Sequence, residues 1–75
     1  MNKQQFLEML TEILEADAGT IKGDEDLENL ENWDSLAVIT FIAAVDEKMN
    51  FVVSGEQLSK AKTVADLMAL VGIAA

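Results

Sequence analysis

The run from Ser35 to Met49 contains neither glycine nor proline, and its apolar residues fall at helical spacing on more than one face. Leu36, Ile39, Ile42 and Val45 make one row, and Val38, Phe41 and Met49 widen it. Ala37, Thr40, Asp46, Glu47 and Lys48 are left mainly for solvent. A helix with so wide an apolar arc needs neighbours on two sides, so this segment is expected at the centre of a helical domain. With 75 residues the chain has enough length for one core and not for a second.

Neighbours are legible on either side. From Asn2 onward, Phe6, Leu7, Leu10, Ile13 and Leu14 recur at helical spacing with Glu8, Glu12 and Glu15 opposite, and the pattern stops near Asp17, Ala18 and Gly19. Asn2 and Gln5 read as a capping pair. After the central helix Asn50 breaks the pattern, and Phe51-Val52-Val53 has no second strand to pair with, so no sheet is expected. Ser54 with Gln57 opens a short helix through Leu58 and Ala61. Thr63 with Asp66 opens the last one, where Val64, Leu67, Met68 and Val71 keep the spacing until Gly72. The Ala74-Ala75 end is expected to fray. The fold class is therefore all-α, an antiparallel four-helix bundle with three longer helices, one short third helix and a long first loop, in a single domain over 1–75.

That loop, residues 17–33, exceeds the roughly 12–15 residues that structureless connections reach, which implies partial order. Ile21, Leu27, Leu30 and Trp33 are its expected anchors, the last three spaced to share one side of a short helical turn. Around them gather Asp17, Asp24, Glu25, Asp26, Glu28, Glu31 and Asp34 against the single Lys22. Asp24, Asp26 and Glu28 alternate as early calcium-loop ligands do, but the sixth position is Asn29 instead of glycine and the twelfth is Ser35 instead of glutamate. No metal site is expected.

Composition narrows the chemistry. Without cysteine or histidine, Ser-His-Asp and Cys-His catalysis are excluded. A Ser-Lys pair would need Lys3, Lys22, Lys48, Lys60 or Lys62, and no spacing groups one of them with Ser35 and a glycine-rich oxyanion turn. The chain is expected not to be an enzyme. A formal charge of −9 argues against nucleic acid or anionic lipid as partner and favours basic proteins. No stretch approaches the roughly 20 apolar residues that span a bilayer, and Asn2-Lys3-Gln4-Gln5 is no secretory signal, which with the missing cysteines leads to the expectation of a cytoplasmic location; a monomer is also expected.

Ser35 stands where the acidic loop gives way to the central helix. A hydroxyl on a first helical turn lies beside backbone N–H groups that lack partners and carry the positive end of the dipole, a setting that stabilises a phosphate ester. Asp34 or Ser35 serving only as N-cap is the competing reading. The whole chain resembles an acyl carrier protein. The resemblance rests on Asp34-Ser35-Leu36 at the start of the second helix, the helix order, the long first loop, the acidity, Val53-Ser54-Gly55-Glu56 before the third helix and Thr63-Val64 before the fourth.

What the resemblance implies is specific. Ser35 would carry a covalent 4′-phosphopantetheine transferred from coenzyme A, and acyl or aminoacyl groups would ride on it as thioesters. A phosphopantetheinyl transferase and acyl-activating, acyltransferase or synthase enzymes would be the partners, with Asp34, Leu36, Asp46 and Glu47 as recognition residues. Small residues Ala43, Ala44, Ala61 and Ala65 could leave space for an acyl chain, and close helix packing explains them equally well. The chain also departs from the family's usual pattern. Asn32 stands where glycine is usual, three residues before the serine, although asparagine tolerates positive φ. Trp33 resembles stand-alone carriers of specialised pathways. Ala37 and Thr40 interrupt the usual acidic ladder, and Lys48 reverses it, so docking should lean on apolar contacts. An unmodified carrier fold acting as an interaction subunit is the alternative.

Overall fold

Four side chains set where the helices begin. Asn2, Asp34, Ser54 and Thr63 each accept a hydrogen bond from the backbone N–H three residues on, at 2.8, 3.0, 3.1 and 3.1 Å. In three of them the reply is present: Gln5, Gln57 and Asp66 accept from the capping residue's own N–H. At the second helix the position of the reply is taken by Ala37, so Asp34 caps alone. The computed structural model describes residues 1–73, and the expectation for Ala74-Ala75 lies outside the described residues. The elements are α1 (Lys3–Ile13), a 3-10 turn (Leu27–Asn29), α2 (Ser35–Met49), α3 (Gly55–Lys60) and α4 (Val64–Leu70), so the described residues form an all-helical fold. No helix among the described residues is long and apolar enough to cross a membrane.

α2 packs against both α1 and α3, as its wide apolar arc requires. At its middle Phe41 is fully buried, met edge-on by Phe6 of α1 at 5.9 Å and by Trp33 of the loop at 6.0 Å between ring centroids. Val64, Leu67, Met68 and Val71 close the core from the last helix and its end. The inward face of α2 differs from the expected one. Ala37, Phe41 and Val45, at i, i+4 and i+8, are buried, whereas Leu36 and Ile39 are 71% and 63% exposed. Ala37 was expected in solvent, and Leu36 and Ile39 in the apolar row. From Leu36 to Val45 every residue but Thr40 is apolar, so periodicity cannot choose between faces there, and the large Phe41 ring decides by filling the centre.

Helix ends also carry information that apolar spacing does not. α1 stops at Ile13, short of the expected Asp17, because Glu15 turns left-handed at φ 55°. There the N–H of Glu15 donates to the Glu12 carbonyl and the N–H of Ala16 to the Thr11 carbonyl, the double closure of a Schellman motif. α4 ends in the same motif with Gly72 at φ 80°, its N–H on Ala69 and that of Ile73 on Met68. α4 spans seven residues, close to the six of α3.

The first loop is ordered by its anchors. Ile21 and Leu27 are buried, Leu30 and Trp33 half-buried against the core. Residues on both sides of Asp26 pair antiparallel with the α3–α4 connection: the Leu27 N–H donates to the Lys62 carbonyl at 2.8 Å, and the Val64 N–H to the Glu25 carbonyl at 3.0 Å. Two carboxylates brace this crossing. Glu25 accepts from the N–H groups of Lys22 and Gly23 at 2.7 and 2.9 Å, and Asp66 from those of Lys62 and Thr63 at 2.9 and 3.2 Å.

Candidate functional site

Immediately before α2 the chain makes a turn that neither regular structure nor glycine supplies. Asn32 adopts φ 69°, and its side-chain amide donates to the Leu14 carbonyl at 2.9 Å, so one of the open carbonyls at the end of α1 is satisfied from the far end of the loop. The Asp34 N–H donates to the Asn32 carbonyl at 3.0 Å, which closes the turn. Trp33, between them, is half-buried with its ring on Phe41, as expected of a loop anchor.

Asp34 then takes the capping role, and Ser35 becomes the first residue inside the helix. The division matters chemically. The Asp34 carboxylate is committed to the Ala37 N–H, while the Ser35 side chain is exposed and its hydroxyl makes no hydrogen bond among the described residues. Nor do the N–H groups of Ser35 and Leu36 find an acceptor there. An exposed, unengaged alcohol thus stands beside two free backbone donors at the positive end of a fifteen-residue helix. Those residues fit a phosphodiester: the hydroxyl can be reached, and the donors can face its oxygens.

The other candidate residues fall into two groups along α2. Leu36 is exposed next to Ser35, so its core reading is excluded, and Ile39, one turn on, is exposed beside it. Asp46 and Glu47 are exposed as well but belong to the opposite end, about 17 Å along the axis at 1.5 Å per residue. The structure therefore brings Asp34, Ser35 and Leu36 together and leaves the two acids apart. Ile39 is the residue that sequence reasoning missed at this surface, because an all-round apolar helix gives no sign of which apolar side chains stay outside. Between α2 and α3 an open groove of about 420 Å³ is lined by Leu27, Trp33, Val38, Leu58 and Ala61 among others. Of the four alanines singled out for an acyl chain, only Ala61 lines it; Ala43 is exposed.

A protein-family model described as the phosphopantetheine attachment site matches residues 4–71, nearly the whole chain and every described α-helix apart from Lys3, the first residue of α1. Neither curated proteins nor solved structures give a significant match. Domains of this family bear 4′-phosphopantetheine covalently, act as carriers, are generally not enzymes themselves, and interact with transferases and synthases. An all-helical chain matched over that length belongs to the phosphopantetheine-attachment family, the acyl-carrier type of protein.

Proposed function

We propose that Ser35 is the attachment residue and that the protein holds acyl or aminoacyl groups for dedicated cytoplasmic enzymes of a specialised biosynthetic pathway. The observation that carries this reading is the exposed, unengaged Ser35 hydroxyl at the first position of α2, next to the free N–H groups of Ser35 and Leu36. Attachment needs the serine oxygen to form a bond to the β-phosphorus of coenzyme A as the bond to adenosine 3′,5′-bisphosphate breaks. The serine proton leaves to a base that the transferase supplies. The group supplies the terminal thiol on which a thioester forms, consistent with a chain that has no cysteine of its own.

What the protein contributes is placement. Asp34 fixes the helix start by capping Ala37 and offers the transferase a charged neighbour of the serine. Leu36 and Ile39 give an apolar contact beside the attachment point, and Asp46 and Glu47 add charge at the far end of α2. Exposure of two large aliphatic side chains favours docking led by apolar contact over docking led by charge. A tethered cargo meets a docked enzyme at a high effective concentration, so weak docking suffices.

The test is intact mass after incubation with coenzyme A and a broad-specificity phosphopantetheinyl transferase. The wild-type chain should gain one phosphopantetheine and Ser35→Ala none. A folded wild type that gains nothing would favour the unmodified interaction subunit, and a gain by Ser35→Ala would move the site elsewhere.

A further inference from the structure

A second surface lies away from Ser35. Leu7 and Thr11 of α1, with Ala16, Ala18 and Ile21 of the segment after it, line an open groove of about 840 Å³. Its floor offers little to a polar ligand: Ile21 is buried, Leu7 and Ala16 are half-buried, and the Thr11 hydroxyl donates to the Leu7 carbonyl at 2.6 Å. Glu8, Glu12 and Glu15 border the same groove, with Lys3 the one cation among its lining residues.

These three carboxylates do little for the fold. Glu8 accepts a bond only from the Gln4 amide, and Glu12 and Glu15 have no side-chain partner among the described residues, where the one ion pair is Lys60 with Glu56. Glu12 lies in the last turn of α1 and Glu15 just past it, at the negative end of the helix dipole, with no basic residue in that turn. Glu8 and Glu12, four apart, also repel each other. An apolar floor bordered by unpaired acids at helical spacing complements a helix with a row of aliphatic side chains flanked by cations. A second copy of this chain does not fit, because it would bring the same acids and a charge of −9 against them.

We propose that this groove docks an amphipathic helix of a partner protein, its aliphatic row on Leu7, Ala16 and Ile21 and its lysines or arginines facing Glu8, Glu12 and Glu15. The site is independent of modification at Ser35, so Ser35→Ala leaves it intact.

The experiment titrates the isotopically labelled full chain, at physiological ionic strength, with a synthetic helical peptide of leucines at i, i+3, i+4 and i+7 and lysines elsewhere. A peptide of equal charge with serine for leucine serves as the comparison. Amide shifts should centre on Leu7, Thr11, Glu12, Ala16 and Ile21, and the serine peptide should bind at least about tenfold more weakly. Glu8→Gln, Glu12→Gln and Glu15→Gln together, on exposed positions that keep the fold by circular dichroism, should weaken binding on the order of tenfold. Asp46→Asn with Glu47→Gln should not. Shifts centred on α2 or α3, equal affinity for the two peptides, or an unchanged triple variant would each overturn the proposal.

Discussion

Replacing Glu15 by glycine should make the protein more stable, although it removes a side chain. Glu15 holds the left-handed position of the Schellman motif that ends α1, where α4 has Gly72, and its side chain makes no hydrogen bond or ion pair among the described residues. A left-handed conformation costs a residue with a Cβ about 1–2 kcal/mol. A carboxylate at the negative end of a helix adds about 0.3–1 kcal/mol at low salt. Against these stands the larger backbone freedom of glycine in the unfolded chain, about 0.5–1 kcal/mol. The balance is about 1 kcal/mol in favour of Glu15→Gly, which for a domain this small raises Tm by about 4–8 °C. Urea unfolding followed by circular dichroism would measure it, with Glu15→Gln and Glu15→Asn as intermediates. Glutamine relieves only the charge and should give about 0.3 kcal/mol. Asparagine also tolerates the backbone and should lie between glutamine and glycine. A glycine variant no more stable than the glutamine one would refute the backbone argument, and a less stable one would mean that Glu15 holds the fold together.

Three further outcomes are expected. Asn32→Ala loses both the bond to the Leu14 carbonyl and an easy positive φ, about 2 kcal/mol together, whereas Asn32→Gly keeps the φ and should cost about 1 kcal/mol; denaturant midpoints would rank them. Phe41→Ala empties the centre of the core between Phe6 and Trp33 at a cost of about 3–5 kcal/mol, enough to leave little cooperative unfolding by calorimetry. For Glu25, partial burial pushes the carboxyl up but the backbone N–H groups of Lys22, Gly23, Glu25 and Asp24 together outweigh it, and for Asp66 the Lys62 and Thr63 donors dominate, so both sit below their ordinary values of 4.5 and 3.8. A lowered folded pKa means the unfolded chain takes up protons first, so this stabilisation is complete above those ordinary values and is lost as pH falls through the lowered ones. Urea midpoints should drop in that window, and less steeply in Glu25→Gln; an equal slope in the variant would remove Glu25 as a contributor.

Much of this was readable from residue order, and what was not has a definable cause. The pairs Asn2 with Gln5, Ser54 with Gln57 and Thr63 with Asp66 act within one helical turn, so local spelling suffices, and all three are found as capping boxes. Ile21, Leu27, Leu30 and Trp33 stood out because large apolar residues in an acidic loop have few places to go, and all four pack on the core. The end of α1 was hidden because Glu15 carries no sign of a left-handed turn; Asn32, which does tolerate one, was legible. The outer face of α2 was hidden for the opposite reason. Apolar residues on every side leave only tertiary packing to choose, and it chose Ala37 inward and Leu36 and Ile39 outward. The pairing around Asp26 and Thr63 joins residues far apart in sequence, and no short-range pattern encodes it.

That pairing bears on how an exposed serine can still be held in place. Residues 17–33 have no long helix or strand to fix their end at Ser35, yet the loop is tied at three levels: Glu25 to Lys22 and Gly23, Leu27 to Lys62, and Asn32 to Leu14. Each tie satisfies a backbone group that would otherwise need water, so order in the loop costs little beyond chain entropy. Two of the three reach other elements, the α3–α4 connection and the end of α1, and Trp33 adds a third hold through Phe41. The backbone under Ser35 is therefore fixed by contacts on the inner side of the turn, which leaves its outer side without obligations. Because Asp34 does the capping, Ser35 is also spared a structural duty, and its replacement by alanine should shift stability by less than about 0.5 kcal/mol. A residue whose position is fixed by its neighbours, and whose own side chain the fold does not use, is one that can change chemically while the structure around it stays as it is.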